Sequence, residues 1–235
     1  MKRNAYSTLS LLLTFLIGVS IPASAEEGPA ADILGRINRI RSEEGFPPLE
    51  RSGPAAKAAR EYAEELASGA PFSHADRSGN TADRRYRDAG GTGLAAGEIL
   101  GRGPDLDSIF AVWLESPRHR EVILGPDWTR AGAGIASRDG KVYAAVTFVL
   151  SLYTDLALEP ARGASILSGG YIGKDPPVVS SKGKTVVPRI DTSGRFSLPL
   201  TGPGSIFVVN LGYFDVETGK VIFTDMAVFD RDKAD

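Results

Sequence analysis

Phe72-Ser73-His74, Ala95-Ala96-Gly97-Glu98-Ile99-Leu100 and Ser116-Pro117-Arg118-His119-Arg120 fall within one stretch, residues 72–120, that holds both histidines of the 235-residue chain. Two imidazoles and a carboxylate meeting at one pocket make a minimal set for a metal site with an open position, or for acid–base chemistry. His74 precedes Glu98 by 24 residues and His119 by 45, so no local zinc spacing is present and the fold itself has to bring them together. Singly, each residue has a plainer reading: His74 bonded to Asp76 in its loop, His119 bonded to backbone, Glu98 capping a helix.

Outward from this stretch, helices come first. Ile33, Leu34, Ile37 and Ile40 recur at three- and four-residue spacing, which predicts a helix over 31–41 with Asn38 and Arg41 at the edge of its apolar stripe. Gly45 and Phe46-Pro47-Pro48-Leu49 end it. Pro54 suits a first turn, and alanine-rich residues up to Ser68 predict a second helix whose small side chains admit a close neighbour. A short helix is expected over 81–88. Another spans 104–115, with Asp105 and Asp107 at its positive end and Ile109, Phe110, Val112 and Trp113 inward. Ser116 as N-cap and Pro117 in the first turn start a last helix carrying His119. Two strands, 132–136 and 142–150, flank the turn signal Asp139-Gly140. Helices followed by a hairpin predict an α+β sandwich.

Beyond Thr154 only strand signals appear, over 165–172, 184–188, 195–200, 205–211 and 220–229, separated by Gly/Pro/Asp turns. They predict a small all-β sandwich or barrel over 163–235, with the boundary to a first domain over 31–153 in the linker-like run Glu159-Pro160-Ala161-Arg162-Gly163 or just before it.

The first 25 residues read as an address. Lys2 and Arg3, the apolar run 11–17 and Pro22-Ala23-Ser24-Ala25 describe a secretory signal peptide cut near Ala25. Removing Lys2 and Arg3 leaves 25 basic against 29 acidic residues, a charge of −4, which gives nucleic acid no basic surface. No cysteine is present, so disulfides and thiolate metal sites are excluded. The expectation is an exported mature chain, secreted or periplasmic, that does not span the membrane.

Six separated words occur in order: Ile37-Asn38-x-x-Arg41, Gly45-Phe46-Pro47-Pro48-Leu49, Phe72-Ser73-His74, Gly97-Glu98, Trp113-x-x-Ser116-Pro117-x-His119-Arg120, and Arg130-Ala131-Gly132-Ala133-Gly134. Over residues 31–149 the chain resembles the bacterial branch of the CAP (SCP-like) superfamily. The resemblance implies an α-β-α sandwich with a central cleft faced by His74, Glu98 and His119, where Zn2+ or another divalent metal is held. Asn38, Arg85, Glu115, Ser116 and Arg120 are expected as cleft or structural support. Two departures are visible. Ile99 follows Glu98 where the family usually has Asn. Family members outside bacteria commonly carry a second cleft glutamate shortly after the tryptophan; here Glu115 lies two and Ser116 three residues after Trp113, and one helical residue turns a side chain by about 100°.

Three functions compete. One is a module binding a metal, small molecule, lipid or cell-envelope component. The second is a metal-dependent hydrolase with Glu98 as general base. The third is a structural extracytoplasmic domain. Ser73 beside His74 makes a poor nucleophile–base pair, because sequence neighbours seldom bond in that way.

Overall fold

The computed structural model describes residues 29–233; the signal-peptide reading therefore falls outside the described residues. In chain order these form α1 (Pro29–Glu43), β1 (Glu50–Arg51), α2 (Gly53–Ala67), α3 (Ala82–Asp88), β2 (Ala95–Gly103), α4 (Leu106–Glu115), α5 (Pro117–Ile123), β3 (Arg130–Arg138) and β4 (Lys141–Leu150). The strands make one sheet in the order β1-β3-β4-β2, with β1 parallel to β3 and the remaining pairs antiparallel. No helix among the described residues is long and apolar enough to cross a membrane.

Alternation along the strands explains the layers. Ala131 and Ala133 of β3 and Ala144, Val146 and Phe148 of β4 share a core with Ile33 and Ile37 of α1, Ile109, Phe110 and Trp113 of α4 and Ile123 of α5. The intervening positions face α2: Ala145 meets Ala59, Tyr62, Ala63 and Leu66. Period-two strands with both faces apolar need helices on each side, and the result is the expected α-β-α sandwich. The β3–β4 turn at Asp139 and Gly140 takes positive φ at both residues, 51° and 71°, as a two-residue hairpin requires.

Helix ends follow the capping residues. Ser52 accepts from the Ala55 N–H, Asp105 from that of Ser108, and Ser116 from that of His119. Trp113 is fully buried, and its indole N–H donates to the Leu100 carbonyl at 2.8 Å. Asn38 closes a pair of bonds with Leu49, 3.0 and 2.8 Å, that ties α1 to the chain leading into β1. Arg41 is buried and donates to the carbonyls of Pro47, Ile123 and Gly125.

Seven further strands follow: β5 (Tyr153–Ala161), β6 (Ala164–Tyr171), β7 (Pro177–Ser181), β8 (Lys184–Val186), β9 (Arg195–Leu200), β10 (Ile206–Asp215) and β11 (Lys220–Asp230). They form two sheets, β11-β10-β7-β8 and β5-β6-β9. Between them lies a second core that includes Tyr153, Leu167, Phe196, Phe207, Val209 and Leu211. This is the all-β region, built as a sandwich.

Three expectations need correction. Glu159-Pro160-Ala161 is not a linker but the end of β5, paired with Ser165 and its neighbours on β6. Pro177–Ser181, which falls between the expected strands 165–172 and 184–188, is a strand of its own. Ala95–Gly103, where the plainer reading has Glu98 capping a helix, is a nine-residue strand at the edge of the first sheet. Its glycines hide the strand pattern. A Cβ at Gly97 would lie 2.8 Å from Trp128, and one at Gly101 2.2 Å from Ile109.

Candidate functional site: an imidazole pair over a buried ion pair

The edge strand β2 carries Glu98 outward from the sheet to a carboxylate only 3% exposed. A carboxylate at that depth needs partners, and two are present. Arg85 of α3, itself 10% exposed, donates from Nη2 to Glu98 Oε1 at 2.5 Å. His74 Nδ1 meets Glu98 Oε2 at 2.9 Å. Because the carboxylate accepts, the neutral imidazole carries its proton on Nδ1 and keeps the Nε2 lone pair free.

Arg85 also builds the loop that presents His74. It donates to the Asn80 carbonyl at 2.6 Å, and its guanidinium lies over the Tyr62 ring, 3.6 Å from the centroid. The Tyr62 hydroxyl bonds the carbonyls of Ser73 and Ala75, on either side of His74. α2 therefore fixes the loop through Tyr62, while α3 fixes it through Arg85. The plainer reading of His74, a bond to Asp76, does not hold: Asp76 accepts from Ser78 and Asn80 within its own turn.

His119 approaches from the other layer. Ser116 caps α5 and so sets the first turn on which His119 stands. His119 Nδ1 is buried without a hydrogen-bond partner. Burial holds the His119 pKa below the usual imidazole value, and the nearby charges of His74 and Arg118 push the same way. His119 is thus a neutral imidazole at pH 7. The two histidines line the same pair of adjoining cavities, of about 250 and 270 Å³, along the free edge of β2.

Glu98 lines only the second of these, and both of its oxygens are engaged. No cluster of three His, Asp or Glu side chains fit to hold a metal occurs among the described residues. The expected ligand trio of His74, Glu98 and His119 thus appears as two imidazoles with a supporting carboxylate. Donor chemistry still suits a metal: a free Nε2 on His74 and a neutral, partly buried imidazole at 119 leave positions for water. Glu115 is exposed at the end of α4 and lines neither cavity. Arg120 pairs with Glu44 at the surface, and Asn38 and Ser116 serve the scaffold. Reading the sequence missed Tyr62, Arg102 and Arg118. Tyr62 carries no motif, and its hydroxyl partners sit 11 and 13 residues away.

Residues 34–153, just over half of the chain, match the family described as the Cysteine-rich secretory protein family, CAP. Similar solved structures include an outer surface protein from Borrelia burgdorferi, 25% identical over 51% of this chain and 90% of that one, with a TM-score of 0.47. An extracellular protein containing a SCP domain from Bacillus anthracis is 24% identical, over 52% of this chain and 40% of that one, with a TM-score of 0.47. A cysteine-rich secretory protein from Staphylococcus aureus is 21% identical, over 54% of this chain and 41% of that one, with a TM-score of 0.43. The chain therefore spans well under half the length of the last two. No curated protein matches it. With its ordered motifs, its α-β-α sandwich and the match over residues 34–153, this cysteine-free chain belongs to the CAP family.

Proposed function

We propose that the chain is an exported binding module whose cleft holds a divalent metal, zinc being the best chemical fit, or a small ligand of the cell envelope, without turnover. The observation that carries this reading is the His119 Nδ1 atom, buried without a partner beside a second imidazole whose tautomer Glu98 fixes. A bound zinc would supply a Lewis-acidic centre. His74 and His119 would be the residues holding it. Glu98 would orient His74 from behind, and Arg85 would hold Glu98 in place. Both Glu98 oxygens accept hydrogen bonds, so no free carboxylate remains to take a proton from water. That favours binding over hydrolysis.

Isothermal titration of the exported chain with zinc tests the reading. Micromolar or tighter binding is expected for the wild type. His119→Ala removes it, and Glu98→Gln weakens it by about ten- to a hundredfold, as loss of an outer-sphere partner does. Wild-type affinity no better than millimolar sinks the metal reading. Cleavage of peptides, peptidoglycan fragments or lipid esters that stops with chelator and with His74→Ala would instead establish a hydrolase.

A further inference from the structure

The cleft has a charge pattern that the metal reading does not use. Four ionisable groups around it are already neutralised in pairs. Glu98 is matched with Arg85 at 2.5 Å, and Asp83 is matched with Arg87 at 2.7 Å. Two guanidinium groups remain. Arg118 lines the cavity on the α3 side, and Arg102 lines the cavity on the α4 side. Neither forms an ion pair with a carboxylate among the described residues; Arg102 instead lies over the Phe72 ring, 5.1 Å from the centroid. His74 and His119 separate the two cavities and line both. Arg118 and Arg102 thus give the cleft two guanidinium charges with no carboxylate partner among the described residues, in a chain whose formal charge is −2.

The α4-side cavity adds an apolar wall. Phe72 is 44% exposed and Val112 59% exposed, and both line it with Leu100 and Ile109. Exposed apolar side chains next to unpaired guanidinium groups suit a ligand with an anionic head and an apolar body.

We infer that the cleft selects anionic ligands, with the negative charge of a carboxylate or phosphate met by Arg102 in the α4-side cavity and by Arg118 in the adjoining one across the imidazole pair, and an apolar part against Phe72 and Val112. This rests on the cleft being the binding site proposed above, but not on a metal being present.

The test uses three probes of similar shape: phenyl phosphate, benzoate and neutral benzamide. Each is titrated into the full exported chain in the presence of EDTA, so that an anion bound through a metal is not counted. Phenyl phosphate and benzoate are expected to bind at least tenfold more tightly than benzamide, with affinity falling as salt rises. Phenyl phosphate ahead of benzoate points to a phosphate-bearing ligand, and the reverse order to a carboxylate. Arg118→Gln and Arg102→Gln each weaken anion binding by about tenfold, the loss of one charge-assisted bond, and leave benzamide unchanged. Both positions are exposed, so the variants fold, and zinc titration of each checks that the imidazole pair is intact. Equal binding of benzamide and the anions overturns the inference. So does anion binding that survives the double substitution, or no binding of any probe. Absence of zinc binding alongside Arg118-dependent anion binding removes the metal reading and leaves this one standing.

Discussion

At the scale of single residues, the cleft depends on how Glu98 is kept charged at 3% exposure. Arg85 does this, and it is also the residue that stacks on Tyr62 and grips the 74–80 loop. Removing it strands a carboxylate away from water and frees the loop, whereas removing the carboxylate's charge strands a guanidinium that still has the Asn80 carbonyl and the Tyr62 ring. Arg85→Met is therefore expected to destabilise the chain by about 3–5 kcal/mol, the usual consequence of breaking one side of a buried ion pair. Glu98→Gln should cost less, because the amide oxygen can still accept from Arg85 while its NH2 faces His74, whose neutral ring can move its proton to Nε2 and accept at Nδ1. Urea denaturation of the two variants, with the same slope as the wild type, measures the difference. An Arg85→Met midpoint equal to that of Glu98→Gln contradicts this account.

At the scale of elements, α2 and β3 approach more closely than ordinary side chains permit. A Cβ at Gly132 would lie 2.0 Å from the Ala56 nitrogen, and one at Gly134 2.2 Å from the Arg60 nitrogen, both helix backbone that cannot swing aside. Gly134→Ala is expected to cost at least about 1–3 kcal/mol by forcing the helix off the sheet. Because Tyr62 on the same helix steers the His74 loop, it should also weaken zinc binding; thermal melts together with zinc titration check both. A stable Gly134→Ala protein with native affinity would mean that the layers yield where the geometry says they do not. These elements also show what the sequence made legible. The helices were readable because the apolar period coincides with start signals at Pro54, Asp105 and Ser116-Pro117, and the structure adds Ser52 as the cap of α2. The β3–β4 hairpin was readable from Asp139-Gly140. Strand β2 was not, since Gly97, Gly101 and Gly103 interrupt its alternation to make room for Trp128, Ile109 and Trp113, a constraint that exists only in three dimensions. β5 was obscured by Glu159-Pro160-Ala161, whose composition is that of a connector. The motif residues His74, Glu98 and His119 could be named in advance. The charges around them could not, because Arg102 and Arg118 reach the cleft from different elements.

At the scale of the whole molecule, the two cores are joined through one buried acid. Asp225 of β11 is fully buried. Its carboxylate accepts from the hydroxyls of Thr92, Ser151 and Thr224 and from the Leu152 N–H, at 2.6 to 3.0 Å. Thr92 precedes β2, and Ser151 and Leu152 follow β4, so three of the four donors come from the chain that bounds the α-β-α sandwich. Backbone bonds beside it, Leu94 N–H to the Thr224 carbonyl and Met226 N–H to the Thr92 carbonyl, lay the 92–94 segment along the open edge of β11. That edge would otherwise invite pairing with another chain. Burial raises the Asp225 pKa, and the four donors offset this only in part. The sign of the pH dependence follows. A folded-state pKa above the unfolded value of about 3.9 means that the native state binds the proton more tightly, so this group's contribution to stability falls as pH rises through that value toward the raised one. Asp225→Asn keeps the shape and removes the titration. It is expected to flatten the decline in stability on the alkaline side of pH 4 relative to wild type. Asp225→Ala leaves four donors in a dry junction and should lower stability at every pH, by about 1–3 kcal/mol for each donor that finds no water. Denaturant midpoints of the three proteins from pH 4 to pH 8 decide the matter. Parallel curves for wild type and Asp225→Asn would show that the acid does not titrate in this range, and a mild Asp225→Ala phenotype would show that the backbone pairing of residues 92–94 with β11 holds the halves together unaided.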